Sequence, residues 1–541
     1  MSMKPKIGNA KNMSGEKLEA GRFFWPISRE EIHAVLNLVI AGLVNLSKQL
    51  SNEGRSEARY LLYALTPTIQ KEIISLYRMQ AFFNRSTASD RSLLFQGRLF
   101  AALANEMAPS YPATLNILKS GPSRPQRLRT PARLLRGIVM PYLDSIVRYP
   151  LTRLDDSYDA ITITVTPLIE ANAGRVDHRV VYRGAHYWFD RVSELVNNKD
   201  DSRIIEHILD ITRSAFHEGS EVLPTFLAKY QKEWLRFAFA LSRTHLRNIE
   251  KKSVRLPKNL WTGSGLWIWA RLLKPIVCER GGHITGHDHG TGAGYRNERY
   301  KAYREFEFCN RFITFGPGHV DGYKNCFASG VWSGNQLPEI DWLAIPKNSA
   351  PEKIRKRLAR KSLPSEIKKV LFVSGLCDHD DSVFFSPLMS QIQLKDWYVR
   401  LLKFLKHSGF EIFWKPHRQD NALPSNDFLA EFGVNVVRNV VEDWYPKVDA
   451  LLFDSFYTTP FFSGISSGRP LVFVDFGYEP FTEVARNLIA KRIAIVRAGF
   501  DPVNQRAELD WSVLSSALKE GCVRLADTGF QNSYILPGDQ N

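Results

Sequence analysis

Cysteine is scarce in this chain. Five occur in 541 residues, Cys278, Cys309, Cys326, Cys377 and Cys522, and none belongs to a Cys-x-x-Cys pair. Odd in number and widely spaced, they argue against a disulfide framework or a thiolate zinc site and suit a reducing compartment. Long apolar runs are lacking too. The most apolar short segment, Ala34 to Val44, falls short of the ~20 residues that a spanning helix needs, so a buried or interfacial helix is expected. Met1 to Arg22 is polar and basic without an apolar core, which reads as a loose tail and not as a secretory signal. No low-complexity tract and no solenoid-type repeat is present. Acidic residues are in deficit, 56 against 72 basic ones, for a net charge of +16. That balance favours anionic partners such as phosphorylated substrates, nucleic acid or an anionic membrane face, although solubility alone also accounts for it. The expected location is the cytoplasm, compatible with peripheral contact at the inner face of the cell membrane.

What is present changes character along the chain. A helix is expected from Ser28, which can cap, with Glu30 and Glu31 in the first turn. Further helices are expected around 57–65, 68–83 and 92–106. The first 130 residues therefore read as a mostly helical extension. Ser120 to Arg129 is a basic, proline-containing break, a solvated linker or a contact for an anionic surface. Beyond it, strands are expected at 160–165 and 178–182 and helices at 202–216 and 223–252. Strand 260–262 then leads through Gly263-Ser264-Gly265 into helix 266–280 and the next strand, a βαβ unit. A further strand at 311–316 precedes a turn-rich stretch, Pro317-Gly318-His319. Residues 334–368, with four prolines and a charged helix near 352–361, read as a connection. A second alternating region follows, with strands near 370–375, 410–417, 434–437, 450–454 and 471–475 and a helix over 391–407. Short strands alternating with helices imply parallel sheets covered on both faces. The expected organisation is an extension over 1–130, a Rossmann-like domain over 131–335 and a second over 336–541.

Chemistry-bearing residues cluster where such strands end. His283-Ile284-Thr285-Gly286-His287-Asp288-His289 runs into a loop holding Gly290, Gly292 and Gly294. On a strand, the period of two puts His283, Thr285, His287 and His289 on one face. The glycines allow backbone N–H groups to approach an anion. Histidine near neutrality suits abstraction of a hydroxyl proton. The same His-x-His spacing also suits a metal, with Cys377-Asp378-His379-Asp380-Asp381 as further ligands or as a plain solvated loop. The glycine spacing does not match a dinucleotide fingerprint, so NAD is not expected. Lys415-Pro416-His417-Arg418, after a buried strand, can clamp a phosphate or form a charged turn. Asp454, Ser455, Thr458 and Thr459 open a helix and can bind phosphate or simply cap.

These motifs, in this order, resemble GT-B glycosyltransferase-type proteins of bacterial surface carbohydrate assembly, the group that includes CDP-glycerol glycerophosphotransferases and Kdo transferases. The resemblance covers about 256–496. It rests on His289-Gly290 at a strand end, Gly334 to Asp341 entering the connection, Lys415-Pro416-His417 after a strand, and Asp454-Ser455 leading to Gly468-Arg469-Pro470. It implies a GT-B type α/β fold, two Rossmann-like domains facing a cleft. It implies transfer of a glycosyl unit from a CMP-, CDP- or UDP-linked donor to a capsule or lipopolysaccharide acceptor, inverting and without a metal or other cofactor. His289 would be the base, tuned by Asp288, with His287 beside it. Lys415, His417, Arg418, Asp454, Ser455, Thr458 and Thr459 would hold the donor phosphates. Glu479 and Glu483 are candidates for a ribose contact. Polyol-phosphate transfer, a metal-dependent hydrolase built on His287 and His289, and a non-enzymatic nucleic-acid-binding protein are the alternatives. The last lacks a basic helix interleaved with aromatics, so no nucleic-acid partner is expected.

Overall fold

The computed structural model describes residues 25–85, 158–183, 194–251, 256–263, 268–288, 293–296, 302–328, 339–345, 366–375, 391–416, 426–477, 481–520 and 524–535, less single positions within them, with Trp188, Met389 and 354–356. Helix α1 spans Arg29–Asn52. Its N-cap is Ser28, whose hydroxyl accepts from Glu31 N at 3.1 Å, as the sequence implies. Helix α2 spans Ser56–Arg85 without interruption, where two helices broken near Pro67 were expected. The expected helix at 92–106 and the break at 120–129 lie outside the described residues.

The first sheet is assembled from β1 (Ala160–Thr162), α3 (Pro167–Val176), β2 (Val180–Tyr182), α4 (Asp201–Glu218), α5 (Thr225–Lys251), β3 (Asn259–Thr262), α6 (Ile268–Glu279), β4 (His283–His287), β5 (Arg311–Thr314), α7 (Pro317–Ala328) and β6 (Asp341–Ala344). Its six strands run in the order β2-β1-β3-β4-β5-β6, and every pair is parallel. Two readings change. Pro317-Gly318-His319 begins a helix and is not a loop; proline suits a first helical turn because its missing N–H would have no partner there. Strand β6 falls inside the stretch read as a connection, because a four-residue edge strand beginning with Asp341 carries little apolar pattern. Helices α1 and α2 share one apolar core with β1, β3, β4 and α4 to α6, through Val35, Leu43, Leu61, Ile73, Ile208, Leu235, Leu260, Leu272 and Ile284. Each such side chain contributes about 1.5–3 kcal/mol on burial.

The continuity of α2 has a specific cause. Pro67 has no N–H, so the Tyr63 carbonyl loses its helical donor. Arg271 of α6 supplies one: its Nη1 donates to Tyr63 O at 2.7 Å, and its Nη2 donates to Arg304 O at 3.1 Å. The guanidinium also lies 4.7 Å from the Tyr63 ring centroid and is fully buried. Thr66 Oγ1 donates to Leu62 O at 2.7 Å. The N-terminal helices are thereby bonded into the first α/β unit.

The second sheet comprises β7 (Lys369–Val373), α8 (Gln391–His407), β8 (Glu411–Lys415), α9 (Asn426–Glu431), β9 (Asn435–Val436), β10 (Ala450–Phe453), α10 (Thr459–Ser466), β11 (Leu471–Asp475), α11 (Glu483–Arg492), β12 (Ala494–Phe500), β13 (Ala507–Leu509), α12 (Trp511–Glu520) and α13 (Gly529–Tyr534). Strand order is β13-β12-β11-β10-β7-β8-β9, parallel except for β13 against β12. Counted from β7, this is the doubly wound 3-2-1-4-5-6 order with one antiparallel edge strand added. Strands β12 and β13 went unread, since Ala494–Phe500 includes Arg497 and Gly499 and lacks a continuous apolar run. The chain therefore carries two Rossmann-like units and a mostly helical N-terminal region, the architecture that the resemblance implies.

The units are joined at several points. Arg29 Nη1 donates to Phe476 O at 2.7 Å, and Trp25 N donates to Asn504 O at 2.9 Å. Helix α13 reaches back to the first unit, where its Tyr534 carbonyl accepts from His319 Nε2 at 2.8 Å. A prediction follows for the Pro67 repair. Arg271→Met should lower unfolding free energy by about 2–4 kcal/mol, as the Tyr63 carbonyl loses its donor and the Arg304 carbonyl loses one of two. Adding Pro67→Ala should recover about 1 kcal/mol, because Tyr63 O regains a helical partner. Denaturant melts of the three variants test this; equal losses with and without Pro67→Ala would refute it.

Candidate functional site

In open α/β sheets the ligand crevice lies at the C-terminal strand ends, where strand order reverses. In the first sheet that point lies between β1 and β3, and the turns there are tied together by threonine hydroxyls. Thr164 Oγ1 accepts from Gly263 N at 2.6 Å, Thr162 Oγ1 donates to Thr164 O at 2.5 Å, and Thr166 Oγ1 caps α3 by accepting from Ile169 N at 3.2 Å. The histidine strand, β4, ends next to it.

His287 is the last residue of β4 and is 2% exposed. Its Nε2 accepts from Asn172 Nδ2 at 3.2 Å, and its ring packs 5.0 Å from that of Trp261. Burial lowers its pKa to about 3, with the Thr262 and Thr285 backbone opposing the shift. It is therefore a neutral, packed side chain at physiological pH, where a site open to solvent was expected. Sequence periodicity places a histidine on a face but not at a depth, which is why this was missed.

Asp288 is 3% exposed. Its Oδ2 accepts from Tyr323 OH at 2.6 Å and Thr314 Oγ1 at 3.4 Å, while its N donates to Ile313 O at 2.8 Å. Burial, and secondarily Asp288, hold the Tyr323 phenol well above its ordinary pKa, so it stays protonated and donates. The carboxylate thus fastens the end of β4 to β5 and α7. His289, Gly290 and Gly292 lie outside the described residues, as do His417, Arg418, Glu479 and the Cys377–Asp381 loop. Among the described residues no group of three or more His, Cys, Asp or Glu is placed to hold a metal.

Ala293–Tyr295 forms a 3-10 turn. Gly294 packs flat on the start of α7: a Cβ there would lie 2.7 Å from both His319 Cα and its Nδ1, and one on Gly322 would lie 1.6 Å from Gly294 O. Its lack of a side chain serves this helix contact. Tyr295 then crosses into the second unit. It is fully buried, with its ring centroid 5.7, 5.3 and 5.8 Å from those of Phe456, Phe462 and Phe481. Its hydroxyl donates to Phe456 O at 3.1 Å, and its carbonyl accepts from Thr482 N at 2.8 Å.

The second sheet reverses order between β7 and β10, so its crevice is bounded by Ser374-Gly375 and Asp454-Ser455, with Lys415 ending β8 alongside. Lys415 and Ser455 are half-buried. Ser374 N donates to Lys415 O at 3.2 Å, and Trp414 Nε1 donates to Ser374 Oγ at 3.2 Å. A Cβ on Gly375 would meet Ser455 Cβ at 2.6 Å, so these two turns approach as closely as their side chains allow. Asp454 does not cap the helix. Its Oδ1 accepts from Gly375 N at 2.7 Å and its Oδ2 from Trp397 Nε1 at 3.2 Å, which orients the β7 turn. The cap position of α10 is Thr458, without a side-chain cap bond; the Thr459 side chain lies outside the described residues. Glu483 opens α11 at an exposed position. Of the expected phosphate group, the structure therefore brings together Lys415, Asp454 and Ser455, and adds Ser374 and Gly375. A serine-glycine turn after the first strand of a doubly wound region was the available signal.

These strand orders define a doubly wound α/β protein with two Rossmann-like units. No protein-family model and no curated protein matches the chain. Among solved structures, a sucrose-phosphate synthase from Thermosynechococcus elongatus aligns over 54% of this chain and 72% of its own, at 10% identity and a TM-score of 0.30. A likeness that distant carries no argument.

The protonation of His287 is testable. Its pKa is lower folded, about 3, than the ordinary value of 6.5, so below pH 6.5 the unfolded chain takes up the proton first and stability falls with pH. The contribution should reach about 2 kcal/mol at pH 5. His287→Gln should flatten stability against pH between 8 and 5 by that amount; an unchanged slope would mean that His287 titrates normally.

Proposed function

We propose that this protein transfers a glycosyl unit from a nucleotide-activated sugar to an acceptor of surface carbohydrate assembly, at the inner face of the cell. The observation that supports this most is the β7/β10 crevice. Two tight turns sit at the reversal point of a 3-2-1-4-5-6 sheet, with Lys415 ending the neighbouring strand, and the reversal point is the usual place for a nucleotide's phosphates. In this reading Lys415, His417 and Arg418 neutralise charge on the departing nucleotide, together with Ser455 and the start of α10. No metal is assigned a role. His289 deprotonates the acceptor hydroxyl, which attacks the anomeric carbon from the face opposite the leaving group. Asp288 serves by fixing the strand end that presents His289.

Transfer of a polyol phosphate from a CDP-linked donor uses the same crevice, and the same measurement separates the two. Thermal unfolding with CMP, CDP, UDP, GDP, their sugars and CDP-glycerol should show stabilisation by one nucleotide and more by its sugar than by CDP-glycerol, about 2.7 kcal/mol at a hundredfold excess over Kd. Lys415→Ala should abolish the shift. His289→Ala should retain it and reduce transfer by about 10²–10⁴-fold. No shift with any nucleotide would sink the proposal.

A further inference from the structure

We propose that Tyr295 is a positioning residue that transmits occupancy of the nucleotide crevice to Asp288 at the end of β4. This rests on the functional reading above. The phenol bonds to the carbonyl of Phe456, and Phe456 directly follows Ser455 in the crevice turn. A phosphate drawing on Ser455 or on the N–H groups of that turn therefore acts on the residue to which Tyr295 is bonded. On the other side, Tyr295 continues directly from Gly294, which rests on α7 at His319 and Gly322. The same helix supplies Tyr323, whose hydroxyl holds Asp288 at the end of β4. The path from crevice to strand end is thus Ser455, Phe456, Tyr295, Gly294, α7, Asp288, and each step is a bond or a close contact.

Two further features make Tyr295 a lever and not a loose contact. Its carbonyl accepts from Thr482 N, and the Thr482 side chain caps α11 by accepting from Ala485 N at 3.3 Å. Arg296 forms an isolated antiparallel bridge with Phe481. The backbone of Tyr295 and Arg296 is therefore held by the second unit independently of the phenol. Removing only the hydroxyl leaves the ring in its cage, against Phe456 among others, and the backbone bonds in place, while removing the hydrogen bond to the Phe456 carbonyl.

Hydrogen exchange on the full chain tests this, read on peptides covering 284–296 and 450–459. With a saturating nucleotide from the thermal screen, exchange should slow in both peptides. In Tyr295→Phe the thermal shift and the slowing at 450–459 should persist, while the slowing at 284–296 should fall by about three- to tenfold. Equal slowing of 284–296 in the two proteins would overturn the proposal. A ligand-free arm judges it independently of the functional reading. Asp454→Asn disturbs the crevice turn and should speed exchange at 284–296, an effect that Tyr295→Phe in the same chain should remove. If no nucleotide binds, the functional reading fails and this second arm alone decides; an Asp454→Asn effect unchanged by Tyr295→Phe would overturn the link.

Discussion

The arrangement of this protein depends on a buried aromatic plug. Tyr295 leaves the first α/β unit and fills a cage of phenylalanines in the core of the second. A buried phenol needs a partner, and here the partner is the main-chain carbonyl next to the crevice turn. Apolar burial supplies the free energy, and the hydroxyl supplies the registration. The two units touch elsewhere as well, but the plug is the contact that ties the chain beyond β4 to the β7/β10 turn.

Charge is handled differently on the two sides of the plug. At β4, burial decides: His287 is held neutral and packed, and the Asp288 carboxylate is committed to a phenol and a threonine hydroxyl. At the crevice, the Asp454 carboxylate is also committed, to an amide and an indole. Such fully bonded carboxylates hold geometry, since leaving any of their donors unpaired in the interior is costly. Lys415 and Ser455 beside them are only half-buried.

The N-terminal helices follow the same logic. Their apolar stripes make them helices, but their place is set by Arg271, which repairs the gap at Pro67 and bonds α2 to α6. Arg29 extends the attachment to the second unit through the Phe476 carbonyl. The region is therefore a brace across both units. Its sequence shows only amphipathic periodicity and a cap.

Much of the fold was legible beforehand. Ser28, the alternation of short apolar strands with helices, and the glycine that ends α6 each act locally, through side chains a few residues apart. The weakly patterned edge strands β6, β12 and β13 were not, because their pairing is supplied by neighbours far along the chain. For the site, the sequence by itself determined which residue types stand at strand ends: His287, Asp288, Lys415, Asp454 and Ser455. Only the tertiary structure decided their depth and their partners. Burial and hydrogen-bond satisfaction depend on elements distant in sequence, such as Asn172 on α3, Tyr323 on α7 and Trp397 on α8, and no local spacing encodes them.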